Sequence, residues 1–351
     1  MSAALGGSNF EYVSARVRTR RAQLFAEEDY RKLVRMGPGE IARFMEESTY
    51  EPEIDALGTR YEGVDLVEYA LNHNLARHFD DLLHWASGRL YDQIARYLRK
   101  FDAWNVKTVL RGLYADSDPQ DVQDDLIRAG ELPDALLDRL LEADSIEVVV
   151  DLLSGTLFGE PLAAAMRDFE ETGLLVPLEN AVDRAYYEQL LADIGDPDDR
   201  ATVLYLEFLH AEIDFRNLRN ALRLAYSGAD IDPADYFIEG GKLFEAATLA
   251  SVAGNVDEVV NRVRASRYGD ELSGALDALE AADSLIGFER ALEAALLAYS
   301  HHLSLVYPLS VCPVLAFVLA KEREVDNIRA IARGREAGLS VEAVETELVI
   351  A

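Results

Sequence analysis

Glycines precede a lysine at Gly240-Gly241-Lys242-Leu243, an arrangement from which phosphate-binding loops are built. In such a loop backbone N–H groups cradle the phosphates, the lysine reaches them, and a Ser or Thr after the lysine holds Mg²⁺. Here the glycine due five positions before Gly241 is absent and Leu243 follows the lysine, so no nucleotide site is expected. The histidines His73, His78 and His84, with Asp80 and Asp81 among them, are five and six residues apart. Zinc ligands on one helix need a spacing of three or four to share a face, so these read as solvated or core histidines. His301 and His302 are adjacent and point to different faces. Asp116-x-Asp118 and Asp196-x-Asp198 lack the glycine and closing glutamate of a calcium loop and read as acidic linkers. Carboxylate pairs could do acid–base work, but 64 acidic residues guarantee accidental pairs and nothing ranks them. The sequence assigns no catalytic residue, no cofactor and no metal.

A different polar pattern recurs. Asp102-Ala-Trp-Asn105-Val-Lys107 leads to Arg111, Asp214-Phe-Arg-Asn217-Leu-Arg219 to Arg223, and Glu324-Val-Asp-Asn327-Ile-Arg329 to Arg333. The shared form, acid-x-x-Asn-apolar-base-x-x-x-Arg, returns at offsets of 112 and 110 residues. Glu68-x-Ala70-Leu71-Asn72, Glu179-x-Ala181-Val182-Asp183 and Glu289-x-Ala291-Leu292-Glu293 keep that register at 111 and 110. Thr156-x-Phe158-Gly159-Glu160 matches Ser266-x-Tyr268-Gly269-Asp270, with Thr49-Tyr50 in the corresponding place of the first copy. One helical module of about 110 residues is therefore expected three times, over 1–117, 118–229 and 230–351.

Asparagine is a mediocre helix-interior residue because its amide competes for backbone partners. Its return in three modules has a structural reading, a buried hydrogen bond to a neighbouring loop. It also has a functional one, in which Asn105, Asn217 and Asn327, the bases Lys107, Arg219 and Arg329, and Arg111, Arg223 and Arg333 line a shared surface that engages a partner. The two bases of each module share a helical face at i,i+4. The run Arg16, Arg18, Arg20, Arg21 has the same pair of readings, a solvated helix face or a docking patch for an acidic partner.

The elements that must carry these residues read as helix nearly throughout. Glu11–Phe25, Leu66–His84, Asp199–Ala225 and Pro313–Arg333 place apolar residues three and four apart and are rich in Ala, Leu, Glu and Arg. Val148-Val149-Val150 is β-branched, but Asp144-Ser145 before it and Gly155 after it are helix start and stop signals. Breaks are expected near Ser117-Asp118-Pro119, Gly195-Asp196-Pro197 and Ser227-Gly228. Leu303–Ala320 carries no charge over eighteen residues and imitates a membrane span. Its siblings Tyr91–Phe101 and Val203–Ile213 are charged, so a buried core helix starting near Pro313 is expected instead.

Composition sets the surroundings. Half of the 351 residues are hydrophobic, enough to build cores and to exclude wholesale disorder. The net charge of −30 repels phosphate backbones and anionic lipids, which makes nucleic acid a poor partner. Only five of the 34 basic residues are lysines, and a surface this rich in carboxylates suits molar salt, where a Debye length of about 3 Å quenches self-repulsion. A halophilic source is expected. The single cysteine, Cys312, and the absence of a leader before Phe10 point to a protein that stays inside the cell.

Tyr12-Val-Ser-Ala15-Arg16-Val17-Arg18, the three acid-x-x-Asn modules and Ala320-Lys321-Glu322-x-Glu324-x-x-Asn327-Ile328-Arg329-x-Ile331 resemble the C subunit of archaeal A-type ATP synthases, the family that includes the d subunit of V-type ATPases. The resemblance runs over essentially the whole chain. Pro308 and Cys312-Pro313, in an unusually apolar third module, depart from it without touching a motif. It implies an all-α fold of three similar subdomains in a pseudo-threefold, funnel-like arrangement. It also implies a non-catalytic rotor subunit on the cytoplasmic face of the membrane, between a ring of c-type (proteolipid) subunits and a central shaft of subunits D and F. No cofactor and no small-molecule substrate would be needed. A helical scaffold unrelated to the ATPase, and a helical hydrolase, are the other classes.

Overall fold

The computed structural model describes residues 7–194, 197, 199–227, 237–245, 248, 255–266, 268–270, 273–274, 276–277 and 285–349, with side chains left out at 201, 223–227, 256, 285–286 and 288. No β-strand occurs among the described residues, so the all-α expectation holds. The helices are α1 (Phe10–Arg21), α2 (Glu27–Leu33), α3 (Pro38–Glu46), α4 (Glu51–Leu57), α5 (Gly63–Trp85), α6 (Arg89–Leu98), α7 (Lys100–Tyr114), α8 (Pro119–Asp124), α9 (Asp134–Leu141), α10 (Ile146–Leu152), α11 (Gly159–Thr172), α12 (Val176–Ile194), α13 (Arg200–Ser227), α14 (Val256–Arg264), α15 (Leu285–Val306), α16 (Cys312–Glu336) and α17 (Val341–Glu345).

Local chemistry starts and stops them. Asp118 caps α8 by accepting from Gln120 N–H, with Pro119 in the first turn, where its missing N–H costs nothing. Ser145 caps α10 through Val148 N–H, which keeps the β-branched run helical. α11 ends at Gly173, whose φ of 68° is the left-handed conformation that a glycine adopts without strain.

The chain divides into two compact units, residues 1–182 with 307–350, and 183–306 with Ala351. In the first, α16 and α5 form the centre, and α1, α2 and α3 pack on α16. Cys312 to Val318 are buried without interruption, as a helix apolar on every side must be. Burying a side chain such as Phe317 or Leu315 is worth about 1.5–3 kcal/mol, so this stretch is a core anchor. No helix among the described residues is long and apolar enough to cross a membrane. In the second unit α13 packs on α15, around Phe215, Leu218, Leu222, Val259, Val263, Tyr268 and Leu292.

Candidate interface at the repeated polar positions

The three asparagines make one and the same contact. Asn105 Oδ1 accepts from Ile127 N–H at 2.8 Å while its Nδ2 donates to the Ile127 carbonyl at 2.8 Å. Asn217 does this to Ile238 at 2.9 and 2.9 Å, and Asn327 to Val349 at 3.0 and 2.8 Å. All three side chains are at most 3% exposed. A carboxamide is the one neutral side chain that can satisfy both backbone groups of a single buried residue outside a helix. The structural reading of the asparagines is therefore what the geometry supports. The loops they hold lie 21 or 22 residues further along the chain.

The acid three residues before each asparagine holds a second point. Asp102 accepts from the N–H groups of Glu131 and Leu132 at 2.8 and 3.0 Å. Asp214 accepts from those of Lys242 and Leu243 at 2.7 and 2.8 Å. Gly130 and Gly241 allow that approach, since an added Cβ would come within 2.0 and 2.4 Å of the respective carboxylate oxygens. Ile127-x-x-Gly130-x-Leu132 and Ile238-x-x-Gly241-x-Leu243 are thus a further repeated motif, 111 residues apart. Sequence reasoning missed it by weighing Gly240-Gly241-Lys242 only as a phosphate loop. Glu324 takes its backbone donor from the other end of the chain, Phe25 N–H at 2.5 Å.

Hydroxyl turns set the remaining register. Ser48, Thr156 and Ser266 each bond the carbonyl three residues back and accept the N–H two residues on. The first-copy counterpart is therefore Ser48-x-Tyr50 rather than Thr49-Tyr50. The Tyr50 hydroxyl donates to Glu324 at 2.8 Å and the Tyr268 hydroxyl to Asp214 at 2.9 Å. The third aromatic is Phe158, which has no hydroxyl to give. Burial holds the Asp102 carboxyl up at about 6, against the pull of its two backbone donors.

A folded-state value above the ordinary 3.8 means that the folded chain keeps a proton the unfolded chain has lost. The contribution of Asp102 to stability is thus complete below about pH 4 and is lost as pH rises through about 6. Melting curves of Asp102→Asn are expected to lack that component of the wild-type slope. Phe158→Tyr is expected to add the missing donor, bring the Asp102 value down and stabilise by about 1 kcal/mol. A loss of stability instead would show a stranded hydroxyl, and with it that Phe158 is not the counterpart of Tyr268.

The bases reach from one module to the acidic stretch of another. Arg111 Nε donates to Glu179 at 2.5 Å, and Arg219 Nη1 lies 3.6 Å from Glu293. Arg333 grips Glu68 with Nε and Nη2, while Arg329 donates to Asn72 Oδ1 at 2.7 Å. In module order the partners run first to second, second to third and third to first. Glu68 holds the Arg333 guanidinium above its ordinary value, against the effect of burial. Arg111, Arg329 and Arg333 line one cleft of about 310 Å³ in the first unit, with Trp104, Asn72, Asp121 and Asp125. Lys107 is half-buried on the same helix as Arg111, and the Arg223 side chain lies outside the described residues. The amides are therefore internal, and the arginines of the first and third modules face a cleft open to water.

Two features were not foreseen. Lys321, fully buried, donates to Glu324 at 2.7 Å and to the Tyr50 hydroxyl at 2.9 Å. Burial lowers its affinity for a proton and Glu324 opposes that. Beside it His78 is buried and pushed down to about 2, by burial first and then by Lys321, Arg20 and Arg77, so it is neutral. His84 is exposed and meets Asp80 at 3.3 Å, an i,i+4 pair that attention to the histidine spacing overlooked. Among the described residues no three His, Cys, Asp or Glu side chains gather as a metal site.

The sequence is similar to known proteins along nearly its whole length. A family model described as ATP synthase (C/AC39) subunit matches residues 13–347. The A-type ATP synthase C subunit of Haloferax volcanii is 68% identical over 98% of this chain and 99% of its own length. That of Halobacterium salinarum is 62% identical over 99% of both chains. That of Methanosarcina mazei is 36% identical over 98% of this chain and 94% of its own length. The strongest of these similarities are to proteins of salt-loving archaea, in keeping with the acidic, lysine-poor composition. The chain belongs to the ATP synthase (C/AC39) subunit family.

Proposed function

We propose that this protein is a non-catalytic central-stalk subunit that transmits rotation between a membrane ring of c-type (proteolipid) subunits and a central shaft of subunits D and F, so coupling ion transport to ATP synthesis. The observation that carries this reading is family membership over the whole chain, together with the cyclic order of the module couplings. Repeated couplings of this kind support a reading as three similar subdomains. A body that passes torque has to resist shear, and buried two-point amide bonds backed by ion pairs serve that purpose. The work is mechanical, so no residue here acts on substrate and none holds a cofactor. The protein sits on the cytoplasmic face of the membrane as a peripheral subunit.

Deleting the third module, from about Asp230, is expected to abolish assembly of the soluble head on the membrane. It removes Glu293, Glu324, Asn327, Arg329 and Arg333 together, and with them two of the three inter-module couplings. Copurification of tagged chain with ring and shaft subunits reads the outcome. Normal assembly of the truncated chain would contradict the proposal.

A further inference from the structure

The arginine run at the start of the chain is not used by any of these couplings except through Arg20. α1 carries Arg16, Arg18, Arg20 and Arg21 against a single acid, Glu11, in a chain where acids outnumber bases almost two to one. Arg20 is spent internally, on Asp81 at 2.6 Å and on His78. Arg16 is different. Its guanidinium lies 4.7 Å from the Tyr12 ring centre and 4.9 Å from that of Trp85, with Arg20 over the same indole at 5.4 Å. The stack is held in place. Asn9 donates to the Trp85 carbonyl at 2.7 Å and accepts from Ser87 N–H at 2.9 Å, which pins the start of α1 to the end of α5.

Arg16 and Arg18 are exposed and, among the described residues, their guanidinium groups make no hydrogen bond or ion pair. Stacking on aromatic faces fixes a guanidinium while leaving its in-plane N–H groups free, and that fork matches a carboxylate in two parallel bonds. Resting on the proposed place of this chain in an ATP synthase, we infer that the Tyr12–Arg16–Trp85 stack and Arg18 form a docking face for a carboxylate-bearing segment of another subunit of the complex.

Charge favours that occupant. With Arg20 spent on Asp81, α1 leaves three arginines, fewer than the clusters of about four to eight bases that recognise anionic lipid and enough for the two-point grip of a single carboxylate. In molar salt only contacts at hydrogen-bond range survive screening, which is the range a preorganised guanidinium serves.

The test uses the assembled complex. Lysine at either position supplies an amine that carbodiimide joins directly to a touching carboxylate, whereas arginine does not react. Complexes carrying Arg16→Lys or Arg18→Lys are expected to yield a new cross-link to an Asp or Glu of a neighbouring subunit, and wild type none. Arg16→Glu with Arg18→Glu is expected to weaken retention of the chain by about tenfold or more, most of it in faster dissociation. Cross-links only to a second copy of this chain, or to lipid through a photoreactive group placed at 18, would overturn the inference, as would unchanged retention of the double glutamate variant. If wild-type chain copurified with no ATP synthase subunit at all, the functional proposal itself would fall, which separates the two.

Discussion

Asn105→Ala should destabilise the protein by roughly 1–3 kcal/mol, because it strands the N–H of buried Ile127, whose carbonyl still accepts from Ala129 N–H. Asn105→Asp should be nearly as damaging. Its carboxylate still accepts from Ile127 N–H, but it cannot donate, and it sets a buried charge against the Ile127 carbonyl oxygen. Asn217→Ala should match Asn105→Ala, since Ile238 is held in the same way. Asn327→Ala should cost less. Val349 follows the five-residue α17, a short element that can swing out with it and hand its two backbone groups to water. Urea midpoints measured at one fixed molar KCl concentration rank the three. Equal small losses at all three positions would mean that the amides are not the internal ties described.

Glu324→Ala should be more severe, about 3–5 kcal/mol, because it leaves the Lys321 ammonium in the core without the carboxylate it pairs with. It also removes the acceptor for Phe25 N–H and for the Tyr50 hydroxyl, so the segment between α1 and α4 loses two hydrogen bonds to α16 and keeps its packing there. Pairing Lys321→Met with Glu324→Gln should recover most of the loss. Glutamine accepts from Phe25 N–H with its oxygen and donates with its amide N–H to the Tyr50 hydroxyl, whose lone pair the lost lysine has freed, and methionine fills the volume without a charge. The double-mutant cycle should therefore give a coupling of at least about 2 kcal/mol. A coupling near zero would show that the pair does not act as one unit.

The fold was legible where helix periodicity was long and punctuation clear. Leu66–His84 became Gly63–Trp85, Pro313–Arg333 became Cys312–Glu336, and Ser145 capped the valine run as its type suggests. The repeat was legible because its asparagines and the acids before them are buried and therefore restricted in type. The targets of those members were not. Ile127, Ile238 and Val349 receive the asparagines through backbone atoms, and backbone partners leave no trace in side-chain identity. Gly130 and Gly241 did leave a trace, as glycines at matching positions, but the lysine beside Gly241 drew a phosphate-loop comparison first. The buried Lys321–Glu324 pair was hidden because i,i+3 charges on a helix are usually solvated. The packing of other helices on α16, with the Tyr50 ring centre 4.0 Å from Lys321 Nζ, takes that pair out of water.

The central claim concerns where this body works. A map of the intact ATP synthase at a resolution that shows helices is the most direct measurement. The account predicts one copy of this chain on the rotation axis, between the membrane ring and the shaft, with its three modules around that axis. Density for the chain at the periphery of the complex, or modules strung out in a line, would contradict it.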